Sequence, residues 1–394
     1  MEHASPVYNS AGPAASLELR HGDTHAARRA LLAVRDRTLQ LADAWEAALG
    51  RGGMRIPYDA GLNPPVWEWG HVAWFQEWWV ARNRERSLGG RCDPANARLP
   101  SLLARADAFY DSSAVAHRTR WELPLPDAAQ TRDYLARTLE STMACLVALP
   151  AGASDADLYF FRLVALHEAM HSEASEYMAR TLGIALDSAP ARELGPHREL
   201  ELPAGRFLLG SPREGFAFDN ELDAHEVEIA AARIDAQAVT WERFAPFVEA
   251  GGYSDTQWWT DAGREWLSAQ DRVPSVHATH RLHAVVHVNA FEAEAWCNWA
   301  GRRLPTEVEW ECAALTLPGF EWGNAWEWTS SDFLPFAGFE PHPYRDYSVP
   351  WFGTRRVLRG ASPATSPFLA HAKYRNFFEP HRRDVFAGFR SAAR

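Results

Sequence analysis

The chain has 394 residues, a formal net charge of -11, 47% hydrophobic and 23% charged residues; that length is large for one core, so two domains are expected. The acidic balance argues against a nucleic-acid partner, because no basic field would draw phosphates, and no apolar run approaches the roughly 20 residues of a membrane span. Cys92, Cys145, Cys297 and Cys312 form no CxxC pair, against a disulfide framework or a thiolate zinc site.

Residues 1–20 are polar, contain Ala, Pro and Ser, and lack an apolar signal core, which predicts a loose tail on a cytoplasmic protein. Over residues 22–49, Leu31, Val34, Leu41, Trp45 and Leu49 follow helical spacing, with Asp23 or Thr24 as a cap and Gly50 to Gly53 as a stop. Pro64-Pro65 then opens a heavily apolar helix over 66–79, with His71 in its middle. A buried imidazole without a partner is costly, so His71 needs one. A long irregular stretch, 87–126, carries His117-Arg118-Thr119-Arg120-Trp121; such stretches inside a domain are often functional. Residues 127–149 and 155–182 read as a third and a fourth helix. Four helices with one long crossover make a bundle, here over 21–186, and bundles place metal sites between facing helices.

The fourth helix contains Leu166-His167-Glu168-Ala169-Met170-His171-Ser172-Glu173. Positions i and i+4 share a helix face, so His167 and His171 lie side by side, as two nitrogen ligands to a transition metal do. Met170 borders that face. Glu173 sits about 200° around the helix from His171, which suits a residue that orients a neighbour rather than a ligand. Two other readings stay open on these residues alone. The histidines could be ordinary core or surface side chains. The same run also satisfies the HExxH pattern of zinc peptidases, with Glu168 as general base; Tyr177 then stands where a third histidine is wanted, and Glu176 is a poor substitute.

Residues 187–203, with Pro190, Gly195, Pro196 and Pro203, read as a linker. From 204 to 394 short alternating segments such as Glu226-Val227-Glu228-Ile229, aromatic loops, and helices over 240–250 and 290–301 suggest a loop-rich α+β domain. The 18 tryptophans are mostly core and loop anchors, but indole cages also hold quaternary ammonium groups.

In this half, Ala284-Val285-Val286-His287-Val288-Asn289-Ala290, the run from Ala295 to Glu311, Gly323-Asn324-Ala325-Trp326-Glu327-Trp328-Thr329, Arg356-Val357-Leu358-Arg359-Gly360 and Ala387-Gly388-Phe389-Arg390 resemble the sulfatase-modifying, formylglycine-generating fold. Fold does not fix chemistry. The formylglycine-generating enzymes use C-terminal cysteines on copper, and no cysteine follows Cys312 here, so that activity is not expected. Combined with His71 and the HxxxHxE run, the whole chain resembles the ergothioneine-type sulfoxide synthases. The resemblance implies an N-terminal DinB-like four-helix bundle followed by a C-type-lectin-like, formylglycine-generating-enzyme-like domain. It also implies a non-haem iron(II) held by His71, His167 and His171, O2 as co-substrate, and transfer of a sulfur donor to the imidazole C2 of hercynine, which is trimethylhistidine. Three neutral imidazoles leave open positions on such an ion for O2 and substrates. A non-catalytic lectin-like module with a relic helical domain is the rival from another class.

The departures from that family concern the donor. The branch that accepts γ-glutamylcysteine has an Asn-Trp-Asp triplet; this chain keeps Asn376 and, further on, Arg382, but has Phe377 and Phe378 at the Trp and Asp places, and Met170 where that branch has Gln. Removing one partner of a buried charge costs on the order of 3–5 kcal/mol, so a donor other than γ-glutamylcysteine is expected. Asn63-Pro64-Pro65, the run from Gly70 to Trp79, and Asp111-Ser112-Ser113 with His117 and Trp121 resemble a related branch that makes selenoneine from a seleno-sugar. The expected reaction is thus selenium transfer to hercynine, with a thiol-using sulfoxide synthase as the alternative. By the same resemblance Asn376, Phe377 and Met170 line the hercynine side, and Arg118, Arg120, Phe378 and Arg382 the donor side. Tyr344, Tyr347 and Tyr374 are candidates for the family's tyrosine proton donor. Only small-molecule partners are expected.

Overall fold

The computed structural model describes residues 12–270 and 280–394. Its first element, α1 (Gly12–His21), corrects part of the expected tail, of which residues 1–11 lie outside the described residues. What orders this segment is tertiary: buried Arg20 pairs with Glu221 at 2.7 Å, a contact that no local composition signals.

Helix α2 (Thr24–Leu49) starts where the Asp23 side chain accepts from the His25 and Ala26 N–H groups. Helix α3 (Pro65–Gln76) has Pro at its first position, is buried along its whole length, and continues into a π-helical turn, Glu77–Ala81. The stretch expected to be irregular holds α4 (Ala106–Tyr110) and 3-10 turns at Arg86–Arg91 and His117–Trp121. Helices α5 (Ala128–Val147) and α6 (Asp155–Thr181) open on reciprocal capping pairs, Asp127 with Gln130 and Ser154 with Asp157. Helices α2, α3, α5 and α6 pack on one another. Residues 158–169 of α6 are buried on every side, because the second half of the chain covers the face that the other helices leave open.

That half contains β1 (Glu199–Leu202), β2 (Gly205–Leu209), β3 (His225–Ile229), β4 (Ala232–Asp235), α7 (Trp241–Glu249), α8 (Asp261–Ser268), α9 (Ala290–Trp299), β5 (Arg302–Arg303), α10 (Glu307–Thr316), β6 (Ala325–Asp332), β7 (Arg356–Ala361), β8 (Asn376–Phe378), β9 (Ala387–Phe389) and β10 (Ala392–Ala393). The strands form a hairpin, β2-β3, and two four-stranded sheets, ordered β1-β4-β10-β5 and β8-β7-β6-β9. Helices α8 and α10 are absent from the expected elements. In α10 the acids Glu307, Glu309 and Glu311 are buried and form ion pairs with Arg375, Arg303 and Arg359, so a run that looks like solvated surface is interior.

The two halves are joined by polar contacts on α6. Glu173 accepts from Trp326 Nε1 at 2.8 Å, Ser362 Oγ at 2.6 Å and Thr365 Oγ1 at 2.9 Å, so the neighbours it orients belong to the other half. Near the start of α6, Asp155 accepts from the Gly215 N–H at 2.9 Å. Tyr159 Oη lies 3.0 Å from His342 Nδ1. The Trp326 contact seats β6 over α6.

Candidate metal centre

His71 comes from α3, and His167 and His171 from adjacent turns of α6. One ligating atom from each of the three lies within 4.8 Å of the others, and the Nε2 atoms of His167 and His171 are 3.2 Å apart. Their tautomers follow from their partners. His71 Nδ1 is 2.8 Å from the Tyr110 carbonyl oxygen, which can only accept, so Nδ1 carries the proton and Nε2 a lone pair. His171 Nδ1 is 2.5 Å from Glu68 Oε2, a carboxylate oxygen that accepts from an Nδ1–H. Burial, then repulsion from His171, lowers His71 to about 3. Burial, followed by His171 and His71, holds His167 well below the usual range. Burial alone would raise Glu68, but His171, His71 and Asn63 overcome it and hold the carboxyl at about 2. His71 and His167, kept neutral by burial, converge with His171, and the carbonyl behind His71 and the carboxylate behind His171 complete a nitrogen donor set that suits a divalent transition metal.

The rings are also fixed by stacking. Trp67 lies parallel to His71, centroids 4.9 Å apart at 8°, and Phe75 lies on His167 at 3.5 Å and 6°. Glu168 points elsewhere: Arg35 Nε and Thr38 Oγ1 donate to its Oε1 at 2.7 and 2.8 Å. A carboxylate bound into α2 does not reach a metal-bound water, which removes the structural basis of the zinc-peptidase reading.

Beside His171 a cavity of about 230 Å³ is walled by Met170, Tyr374, Asn376, Phe377 and Phe378. Tyr177, Trp326 and Tyr347 complete its aromatic lining, and Glu173 touches it with its oxygens already engaged. Tyr374 Oη donates to Met170 Sδ at 3.3 Å and accepts from Tyr347 Oη at 2.9 Å. Burial raises both tyrosines well above the ordinary range and keeps them protonated.

A sulfatase-modifying factor enzyme 1-like domain model matches residues 187–322 and 321–394. A protein named hercynine oxygenase from Mycolicibacterium thermoresistibile is 32% identical over 92% of this chain and 94% of its own; its namesake from Mycobacterium tuberculosis is 31% identical over 92% and 97%. The chain belongs to the hercynine oxygenase family. It is an enzyme, which removes the binding-module reading, and it joins a helical first half to a β-rich second half of the sulfatase-modifying type. A formylglycine-generating enzyme from Streptomyces coelicolor is 28% identical over 47% of this chain and 83% of its own.

Within this family fold, five of the residues singled out in the sequence, Met170, Tyr374, Asn376, Phe377 and Phe378, share the cavity with His171. Tyr344 stands on another side of the centre, edge-on to Phe75 at 4.8 Å and to His167 at 6.0 Å. Arg382 is not in the lining of the cavity; it lies over two rings that are, 5.8 Å from Tyr177 and 5.3 Å from Phe378, and is bound to Asp384. Arg118 and Arg120 are not in the cavity lining either. Arg118 is exposed over Tyr58 at 4.8 Å, and Arg120 turns to Asn63 and Trp67. Sequence reasoning passed over Glu68, Tyr110 and Trp67. Glu68 and Trp67 lie within one turn before His71 on the same helix, which is a usable signal; Tyr110 acts through its backbone and leaves none.

Proposed function

We propose that the chain is an O2-dependent, iron(II)-using enzyme that joins a chalcogen donor to the imidazole C2 of hercynine, within a DinB-like bundle capped by the sulfatase-modifying-type domain. The observation that carries this reading is the convergence of three imidazoles beside an aromatic cavity. Family membership supports a hercynine-directed reaction and a sulfur donor, as in ergothioneine-type sulfoxide synthesis. Iron(II) held by His71, His167 and His171 would supply oxygen activation at its open positions. Tyr177, Trp326 and Phe377 offer π-faces to a trimethylammonium group, and the Asn376 amide offers a donor and an acceptor to fix its imidazole. Tyr374, protonated and hydrogen-bonded to Tyr347, is placed to hold a proton at the cavity wall; Tyr344 is the second candidate for that role.

A specific observation also favours the selenium reading. Phe378 stands on the donor side of the cavity, the Glu173 oxygens are taken by three donors, and Arg382 is already neutralised by Asp384. A wall without a free carboxylate suits a neutral sugar better than an amino-acid donor. One assay tests both readings: protein loaded anaerobically with Fe(II), given hercynine and O2 with γ-glutamylcysteine, cysteine, a thio-sugar or a seleno-sugar, and products read by mass. A hercynine adduct that requires iron and O2 is expected, with the sugars outrunning γ-glutamylcysteine. His167→Ala and His171→Ala should lose iron and product together. Iron retained at one per chain in those variants overturns the metal assignment, and fastest turnover with γ-glutamylcysteine overturns the reading of Phe378.

A further inference from the structure

Arg120 is tied to two of the three histidines by separate routes. Its Nη1 donates to Asn63 Oδ1 at 2.8 Å. Asn63 Nδ2 donates to Glu68 Oε1 at 2.5 Å, and the other oxygen of that carboxylate holds His171 Nδ1 at 2.5 Å. Its guanidinium also lies 3.9 Å from the centre of the Trp67 ring, and the same indole stacks parallel to His71 at 4.9 Å. The hydrogen-bonded route fixes the rotation of His171 about its Cβ–Cγ bond. The stacked route fixes the plane of His71. Both routes start from a half-buried cation whose counter-charge is Glu68.

The geometry points to Arg120 as a positioning residue for the metal ligands rather than a group that touches the donor. A planar guanidinium is the side chain suited to this place, because it can present an N–H edge to an amide and a face to an indole together. Lysine keeps the charge and one donor but not the face. Outer contacts of this kind set how much of a ligand's affinity for its ion is realised, and their loss typically costs 10–100-fold.

The inference rests on the proposed metal centre, and the test separates the two. Fe(II) affinity would be measured anaerobically by competition with a chromogenic chelator for the wild type and for Arg120→Met, Arg120→Lys and Asn63→Ala, with Co(II) absorption bands reporting ligand geometry. Arg120→Met and Asn63→Ala are expected to weaken Fe(II) binding about 10–100-fold and to shift the Co(II) bands; Arg120→Lys should recover part of the loss. Asn63→Ala breaks the hydrogen-bonded route and leaves the guanidinium on the indole, so it carries the test if Arg120→Met fails to fold. Unchanged Fe(II) affinity and Co(II) bands in the variants, with only the KM for the donor raised, would overturn the inference. A wild-type protein that takes up no Fe(II) would overturn the metal reading along with it.

Discussion

Glu68 brings a full negative charge into a place closed to water, where burial penalises it. It stays ionised because His171, His71 and Asn63 face it, and an ionised carboxylate against Nδ1–H makes the far nitrogen of His171 a better ligand. Glu68→Gln keeps the shape and exchanges a charge-assisted bond for a neutral one. The expected result is Fe(II) binding weaker by about 10–100-fold in a chelator competition, with the fold retained by circular dichroism. Affinity equal to the wild type would reduce Glu68 to packing. The histidines were legible in the sequence because i, i+4 spacing states their relation on one helix, and because a buried His71 required a partner. The target of Glu68 was not legible: it stands one turn before His71 yet serves His171 on a different helix.

At the scale of elements, α3 is set by what lies against it. A Cβ on Gly70 would come within 2.2 Å of the Tyr110 ring, so the absent side chain lets α4 approach closely enough for the Tyr110 carbonyl to reach His71. In an open helix, Gly→Ala gains up to about 1 kcal/mol; here displacement of a buried ring costs more, about 1–3 kcal/mol. Gly70→Ala is therefore expected to lower the urea midpoint without changing the slope, and to weaken metal binding through the displaced carbonyl. A raised midpoint would show that Tyr110 yields without cost. The long helices were legible from apolar spacing and caps, as with Asp127 and Ser154. Helix α1 and the acidic α10 were not, because Arg20, Glu307 and Glu311 find their partners in distant parts of the chain. The cavity residues were named only through the family resemblance and not from spacing: Met170 and Tyr374 touch across 204 positions, and no periodicity reaches that far.

Across the whole molecule, several histidines outside the metal centre are kept neutral by burial. His287 is lowered to about 4 by burial and then Arg180, His342 to about 4 by burial and then Arg213, and His371 lies well below the usual range through burial and then Arg20. The unfolded chain binds protons at these residues below about pH 6.5 while the folded chain does not, so their contribution is complete above pH 6.5 and is lost as pH falls toward 4. Buried Asp219, raised by burial to about 6, works the other way: its contribution is present below about pH 4 and is lost as pH rises through 6. Because the two signs overlap, the wild-type stability curve alone does not isolate either, and a difference between proteins does. His342→Gln removes one titrating histidine at the seam with Tyr159 and retains a hydrogen-bonding side chain. Stability of the wild type relative to this variant, from urea unfolding at a series of pH values, should fall by about 1.4 kcal/mol per unit as pH drops from 6.5 to 4, or about 3 kcal/mol in all. Asp219 accepts from the His342 backbone N–H, which the substitution keeps, so its contribution is common to both proteins and cancels. The lost Tyr159 contact adds only an offset that does not vary over this range. A difference that stays level with pH would mean that His342 carries its proton inside the fold, and that the seam between the halves admits a charge that its burial should exclude.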